Sequence, residues 1–427
     1  MRGDPPFDFR LVLAILALIV LAAGTGVAQQ YAQHYSVLHS FGAGSDGVNP
    51  YGGLIMDSNG NLYGVTEIGG IHGSGTVFEL SPKDGWWTER VIHSFGNGYD
   101  AKVPEAPLSM DRSGNLYGTT IYGGTHSCFE GMYTCGAVFE LSPMEGGGWT
   151  EKVLHNFNNN GSDGHDPQAG FLIDAAGNLY GTTAHGGIHC YDGDEGCGTA
   201  FEMSPREGGG WTETVLHNFG RPSDGYYPCA GLVMDAAGNL YGTTSWGGIH
   251  GETSGTIFEL SPREGGAWAE TVLHNFGNGH DGTLPHAGLI FDAAGNLYGT
   301  TYLGGLYGDG TVFELSPLQG GGWTESVLHS FGSGTDGMEP LGSLILDSSG
   351  NLYGTTAYGG AHNGGIIFEL SPQQGGGWSE SILHHFGKDA DGVNPSGSLI
   401  SDSSGNLYGT TQSGGIHNGG TIFLVTP

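Results

Sequence analysis

The chain has 427 residues, 85 of them glycine, and a formal net charge of −32 from 43 aspartates and glutamates against 11 lysines and arginines. A surface this acidic repels phosphate backbones and anionic lipid headgroups, so nucleic acid is a poor partner. Length alone suggests two or three domains, but internal repeats make the chain one cooperative unit.

Residues 1–28 have the pattern of an export signal. Arg2 and Arg10 lie around a short polar start, Leu11–Ala23 is an apolar run of 13, and Gly26-Val27-Ala28 offers small residues for cleavage before Gln29. The run is short for a membrane span. The expectation is a protein secreted, periplasmic or held at the cell surface, with no stable span once the signal is removed. Retention of residues 1–28 as an anchor is the alternative.

From residue 29 onward the chain is a repeat array, with its core at 35–427. Asp-x-x-Gly-Asn-Leu-Tyr-Gly begins at Asp57, Asp111, Asp174, Asp235, Asp292, Asp347 and Asp402, at spacings of 54 to 63 residues. Each copy lies between two apolar runs, as expected of a β-hairpin whose Asp accepts hydrogen bonds from the N–H groups of its own turn. Every period holds four strand-like runs. In the fourth copy these are strand a, Gly231–Asp235; strand b, Asn239–Thr244; strand c, Gly255–Leu260; and strand d, Trp268–Phe276. Val, Ile, Phe, Tyr and Thr fill the runs, and Gly, Pro, Asn and Asp fill the joints.

The two ends of the array decide its architecture. It opens on a lone strand d, Tyr35–Phe41, and closes on a lone strand c, Thr421–Leu424. An open array would leave both unpaired, which sheets avoid. A closed ring pairs them. The sequence therefore predicts an all-β, seven-bladed β-propeller with four antiparallel strands per blade, whose N-terminal strand completes the last blade.

The repeat, FGxGxDGxxPxGxLIxDxxGNLYGTT…GTVFELSP, resembles the NHL-type propeller repeat and, more closely, the GloVer tandem repeat of secreted bacterial proteins. The resemblance covers residues 35–427 and implies a propeller and export. It carries no catalytic residue onto this chain.

Cys128 and Cys135 bracket one loop, and Cys190 and Cys197 bracket its equivalent in the next repeat, both as Cys-x6-Cys, so two local disulfides are expected. Zinc is the competing reading, although His126 and His189 do not recur at zinc-finger spacing. Cys229 is left over as a buried, small apolar residue. His39, His93, His155, His217, His274, His329 and His384 share one position in strand d and read as structural hydrogen-bonding groups. Glu79 and its five equivalents in strand c are expected to pair across to strand d. In the d-to-a link, Asp46 and its six equivalents read as turn caps, with contact to the b-to-c link histidines (His72 and its equivalents) as a further expectation. Calcium is a weaker alternative, chiefly at Asp192, Asp194 and Glu195. No other cofactor is expected.

A residue present in every blade is explained by the blade, so a specific site should lie where the copies differ on one face. After strand b the copies bring Tyr122, His185, Trp246, Tyr302 and Tyr358 toward one mouth, and the d-to-a links add His165, Asp166, Tyr226, Tyr227, His286 and Glu339. Rings stack on the C–H faces of sugars and carboxylates bond hydroxyls. The expected function is therefore non-catalytic binding of a glycan or an extracellular protein by a monomer, with no assigned catalytic residue. A polysaccharide-active enzyme (glycosidase or lyase) and a purely structural envelope protein are the alternatives.

Overall fold

The computed structural model describes residues 34–427 apart from Tyr99, 129–130, 159, 189–195 and 221–222. The expected signal at 1–28, Cys190 and the candidate calcium ligands Asp192, Asp194 and Glu195 lie outside the described residues. Seven four-stranded antiparallel sheets form a ring. Blade 1 comprises strands at Ile55–Met56, Leu62–Thr66, Thr76–Lys83 and Trp86–Ser94. Blade 7 has Ile400–Ser401, Leu407–Thr411 and Thr421–Thr426, and takes its fourth strand from His34–Ser40. Tyr35 pairs with Val425 and Val37 with Phe423, so the ring closes between the first and last described strands. The propeller and its closure are as the sequence predicts.

Each hairpin is locked by its Asp. Oδ1 of Asp57 accepts the backbone N–H groups of Asn59 (2.8 Å) and Asn61 (2.9 Å), while Oδ2 accepts Asn61 Nδ2 (2.8 Å) and Tyr63 Oη (3.3 Å). The same set recurs at Asp235, Asp292, Asp347 and Asp402, whose carboxyls are held below the ordinary range by these donors despite partial burial. Gly of Leu-Tyr-Gly has a different duty. A Cβ on Gly242 would sit 2.7 Å from Phe258 Cζ, so only glycine admits the strand-c phenylalanine. These phenylalanines are fully buried, and the core lies between blades: Tyr180 and Phe219 pack with Leu240 and Phe258 of the next sheet.

Strand a is shorter than expected, Val233–Met234 in blade 4. The residues before it are diverted, because Ala230 O accepts the hydroxyl of Thr182 from the preceding blade (3.0 Å) instead of pairing within its own sheet. A second expectation is corrected. Asp46 and its equivalents cap their turns, but their histidine partner is the strand-d one, not the exposed loop His72 series. Distances run from 2.8 Å (His384–Asp391) to 3.4 Å (His93–Asp100). The turn folds Asp back onto the strand it has just left, and Gly42 N–H is bonded by Asp46 Oδ1 on the way (3.2 Å). Among the described residues the strand-c Glu forms an ion pair across to strand d only at Glu79, with Arg90; all six Glu, Glu79 included, accept from the Ser two residues on, as in Ser261 to Glu259 (2.6 Å).

Four residues before the strand-d His in six of the seven copies stands a Glu of the same strand, and it packs against the His–Asp pair of the preceding blade. Burial, with the facing Asp adding to it in most copies, pushes Glu89, Glu151, Glu213, Glu325 and Glu380 up to about 7 from the usual 4.5. The folded ring thus favours the protonated carboxyl. That contribution is complete below the unfolded value and is lost as pH rises through about 7. In chelator-treated protein, the melting temperature should therefore fall between pH 5 and pH 8, and replacing the five residues by Gln should flatten the slope. A melting temperature that rises or stays level over this interval in the unsubstituted protein would contradict the assignment.

Candidate functional site

The d-to-a link of each blade pairs with its b-to-c link on one face of the ring. Lys102 faces Tyr122, His165 faces His185, Tyr226 faces Trp246, and Met338 faces Tyr358. The residue before proline in this link is left-handed in all seven copies: Asn49, Val103, Asp166, Tyr227, Leu284, Glu339 and Asn394, with φ of 57° to 63°. This conformation is costly for Val, Leu and Tyr. Two backbone hydrogen bonds hold it. Leu284 donates its N–H to Ser254 O of the preceding blade (3.1 Å), and its carbonyl accepts Tyr302 N–H of its own blade (3.0 Å). Proline follows with its fixed φ, and the next side chain is delivered to the central channel.

Those delivered side chains all differ. Tyr51, Glu105, Gln168, Cys229, His286, Leu341 and Ser396 line a cavity of about 360 Å³ between the inner strands. Of these, sequence places only His286 at the mouth, and Cys229 is expected only as a buried apolar residue. The signal is present in the sequence: this position follows proline in every copy and never repeats a residue.

The expected site residues fall into linked groups. His185 Nδ1 lies 3.1 Å from Asp166 Oδ2, which also accepts Gln168 Nε2 (3.3 Å), and Gln168 donates to Tyr227 Oη (3.1 Å). The His185 ring meets Tyr227 edge-on at 5.1 Å and is parallel to buried His165 at 5.6 Å. Tyr226 and Tyr227 lie 6.1 and 6.5 Å from Trp246, ring to ring. Tyr302 donates to Glu339 and meets His286 edge-on at 5.5 Å. Trp246 and Tyr358 are the more open rings, 38% and 39% exposed. Tyr122 is instead occupied, stacked on Tyr133 at 4.8 Å. Tyr133 belongs to the loop closed by the Cys128–Cys135 disulfide. Cys197 is also disulfide-bonded.

Cys229 is the one free cysteine among the described residues, and it is half-buried at the channel, not sealed in a core. Its Sγ lies 3.0 Å from Ser245 Oγ and 3.3 Å from His286 Nδ1. Burial pushes the thiol up to about 11 and His286 down to about 4, so both are neutral. Burial, reinforced by Glu67 and Asp166, raises Glu105 to about 8. The channel is thus lined near neutrality by uncharged donors and acceptors at Cys229, His286 and Glu105.

A closed seven-bladed propeller carrying its variable residues on one face is a repeat-built scaffold with a single composite mouth. Matches to the Gloeobacter/Verrucomicrobia repeat cover residues 22–130, 127–321 and 187–423, and the chain belongs to that family. No curated protein matches it. Among solved structures, it is similar to a candidate 6-phosphogluconolactonase from Bacteroides uniformis (14% identity, TM-score 0.50, 84% of this chain and 88% of that one). It is also similar to an ancestral GH74 enzyme (10% identity, TM-score 0.55, 92% of this chain and 51% of that one). At these identities the likeness shows the propeller fold alone.

Glu105 provides a direct check on the channel. Its raised value means that stability is lost as pH climbs from the unfolded range toward 8. Glu105→Gln should gain melting temperature over the unsubstituted protein, by more at pH 9 than at pH 5. An equal gain at both would show that the carboxyl is solvated.

Proposed function

We propose that the protein is exported and binds a neutral glycan at the mouth of the channel, without chemistry. The observation that carries this reading is the pairing of two open rings, Trp246 and Tyr358, with a hydrogen-bonded polar wall of Asp166, Gln168, Tyr227, Tyr302 and Glu339 on the same face. Sugar rings stack by their C–H faces on such side chains while hydroxyls bond to the wall, and rigid supports hold both. The links that carry the wall also line a cavity of about 360 Å³. Acidic residues at the mouth oppose uronates. The disulfide and the pattern of residues 1–28 support export. Closure leaves the seven sheets without a shared open edge, which supports a monomer. Calcium at Asp192, Asp194 and Glu195 would be a loop-ordering ion within the same reading.

A glycan array on residues 29–427, with and without chelator, tests it. At least one neutral glycan should be retained, and Trp246→Ala and Tyr358→Ala should each weaken it at least tenfold. The proposal fails if both variants bind every retained glycan as well as the unsubstituted protein. A protein partner would be indicated by loss of partner binding in those variants with no glycan retained.

One observation favours hydrolysis as a second reading. Glu105 is held neutral to about 8 near carboxylates, and carboxyls pushed apart in this way serve as acid and base in glycosidases. Release of reducing sugar from a polysaccharide panel, abolished by Glu105→Gln, would establish it. Neither binding nor release would leave the structural reading.

A further inference from the structure

Away from the mouth, on the outer side of the ring, strands d of neighbouring blades flank a groove. His93 ends strand d of blade 1, Asp100 lies in the link that follows, and Glu151 stands in strand d of blade 2. One imidazole nitrogen and one oxygen from each carboxylate lie within 4.8 Å of one another. The three form the interface element described above, here with the longest His–Asp distance of the series, 3.4 Å. His93 Nε2 is buried 3.4 Å from Asp100 Oδ2, and Glu151 Oε1, like that of Glu89, Glu213, Glu325 and Glu380, is buried without a conventional hydrogen bond. The other six strand-d histidines lie closer to their Asp, as His217 does to Asp224 at 3.1 Å. An imidazole and two carboxyls converging on one partly buried point are costly unless they share a proton or a cation, so this point is prepared for a cation. The His93 ring is held in place edge-on against Phe95 at 4.5 Å. His72 of the b-to-c link lines the same groove.

We propose that His93, Asp100 and Glu151 bind a divalent transition-metal ion of the zinc class and thereby clip blade 1 to blade 2. One imidazole and two carboxylates form a donor set that suits zinc. Ligand atoms around a tetrahedral zinc ion lie about 3.4 Å apart, given bonds of about 2.0–2.1 Å. His93 Nε2 and Asp100 Oδ2 already stand at 3.4 Å. A rotamer adjustment of Glu151 supplies the remaining contraction, and His72 is placed to offer a fourth donor from the rim. A second cluster of the same composition, His329, Asp336 and Glu380, has its ligand atoms within the same limit. His329 Nε2 lies 3.1 Å from Asp336 and 3.8 Å from Glu380, whose Oε1 is buried without a hydrogen-bond partner. There the rim residue is Tyr307 instead of histidine, so blade 1 offers the stronger site.

Zinc titrated into chelator-stripped protein, followed by calorimetry and by melting, tests the proposal. Saturable binding of one to two equivalents with a rise in melting temperature is expected. Glu151→Gln, which keeps the volume of the side chain, should weaken the tighter site at least tenfold, as should His93→Ala. His250→Ala, in an exposed loop, should leave it unchanged. If His93→Ala fails to fold, Glu151→Gln decides the matter, and cobalt in place of zinc should give a tetrahedral visible spectrum that this variant lacks. Absence of saturable binding, or binding that survives Glu151→Gln unchanged, overturns the proposal.

Discussion

The structure depends on one backbone constraint repeated seven times: a left-handed residue immediately before proline, bonded on one side to the preceding blade and on the other to its own. For Val103 and Leu284 the conformation costs on the order of 1–2 kcal/mol, with no glycine or asparagine to relieve it. It persists because both backbone groups are engaged across a blade boundary. The constraint also fixes where the chain goes next. Proline turns it inward, and whatever residue follows must face the channel. Scaffold and recognition are thereby separated, since the tie is indifferent to the identity of the residue it presents.

The same division appears in the electrostatics. Carboxylates of the repeat are consumed locally, by the hairpin donors at Asp57 and its equivalents and by the strand-d histidines at Asp46 and its equivalents. The Glu of strand d is buried against a neighbouring acid. Closure handles this position differently. Tyr35 stands where the other blades have Glu, stacks on His384 at 3.8 Å and donates to Asp391. The joint between the first and last described strands thus replaces a second acid by a phenol, which removes one carboxyl–carboxyl contact where the sheet is made from two chain ends.

Much of this was legible in the sequence. The hairpin could be read because Asp, Asn and Tyr recur at fixed spacing, and the closure because an unmatched strand d and an unmatched strand c stood at opposite ends. Strand alternation puts the d-to-a and b-to-c links on one face, where Tyr226 faces Trp246 and Met338 faces Tyr358. Other features depend on contacts between blades, which a periodic pattern does not encode. The Asp46 series was assigned the wrong histidine, because the turn returns to its own strand. Nothing in the repeat marks the Glu89 series as buried, because the neighbouring blade that covers it lies outside the pattern of a single copy. The ring from Tyr51 to Ser396 shares no chemistry from copy to copy, and its only mark is its place after proline.

The central claim is that ligand recognition resides in the residues that differ among blades at the mouth, on a frame set by the residues that do not. Hydrogen exchange in the presence of a saturating retained glycan tests this most directly. The account predicts slowed exchange in the links around residues 226–228, 245–247, 338–341 and 357–359, spread over blades 4 and 6, with strands d unchanged. Protection confined to the strand-d grooves, or to the links of a single blade, would contradict it.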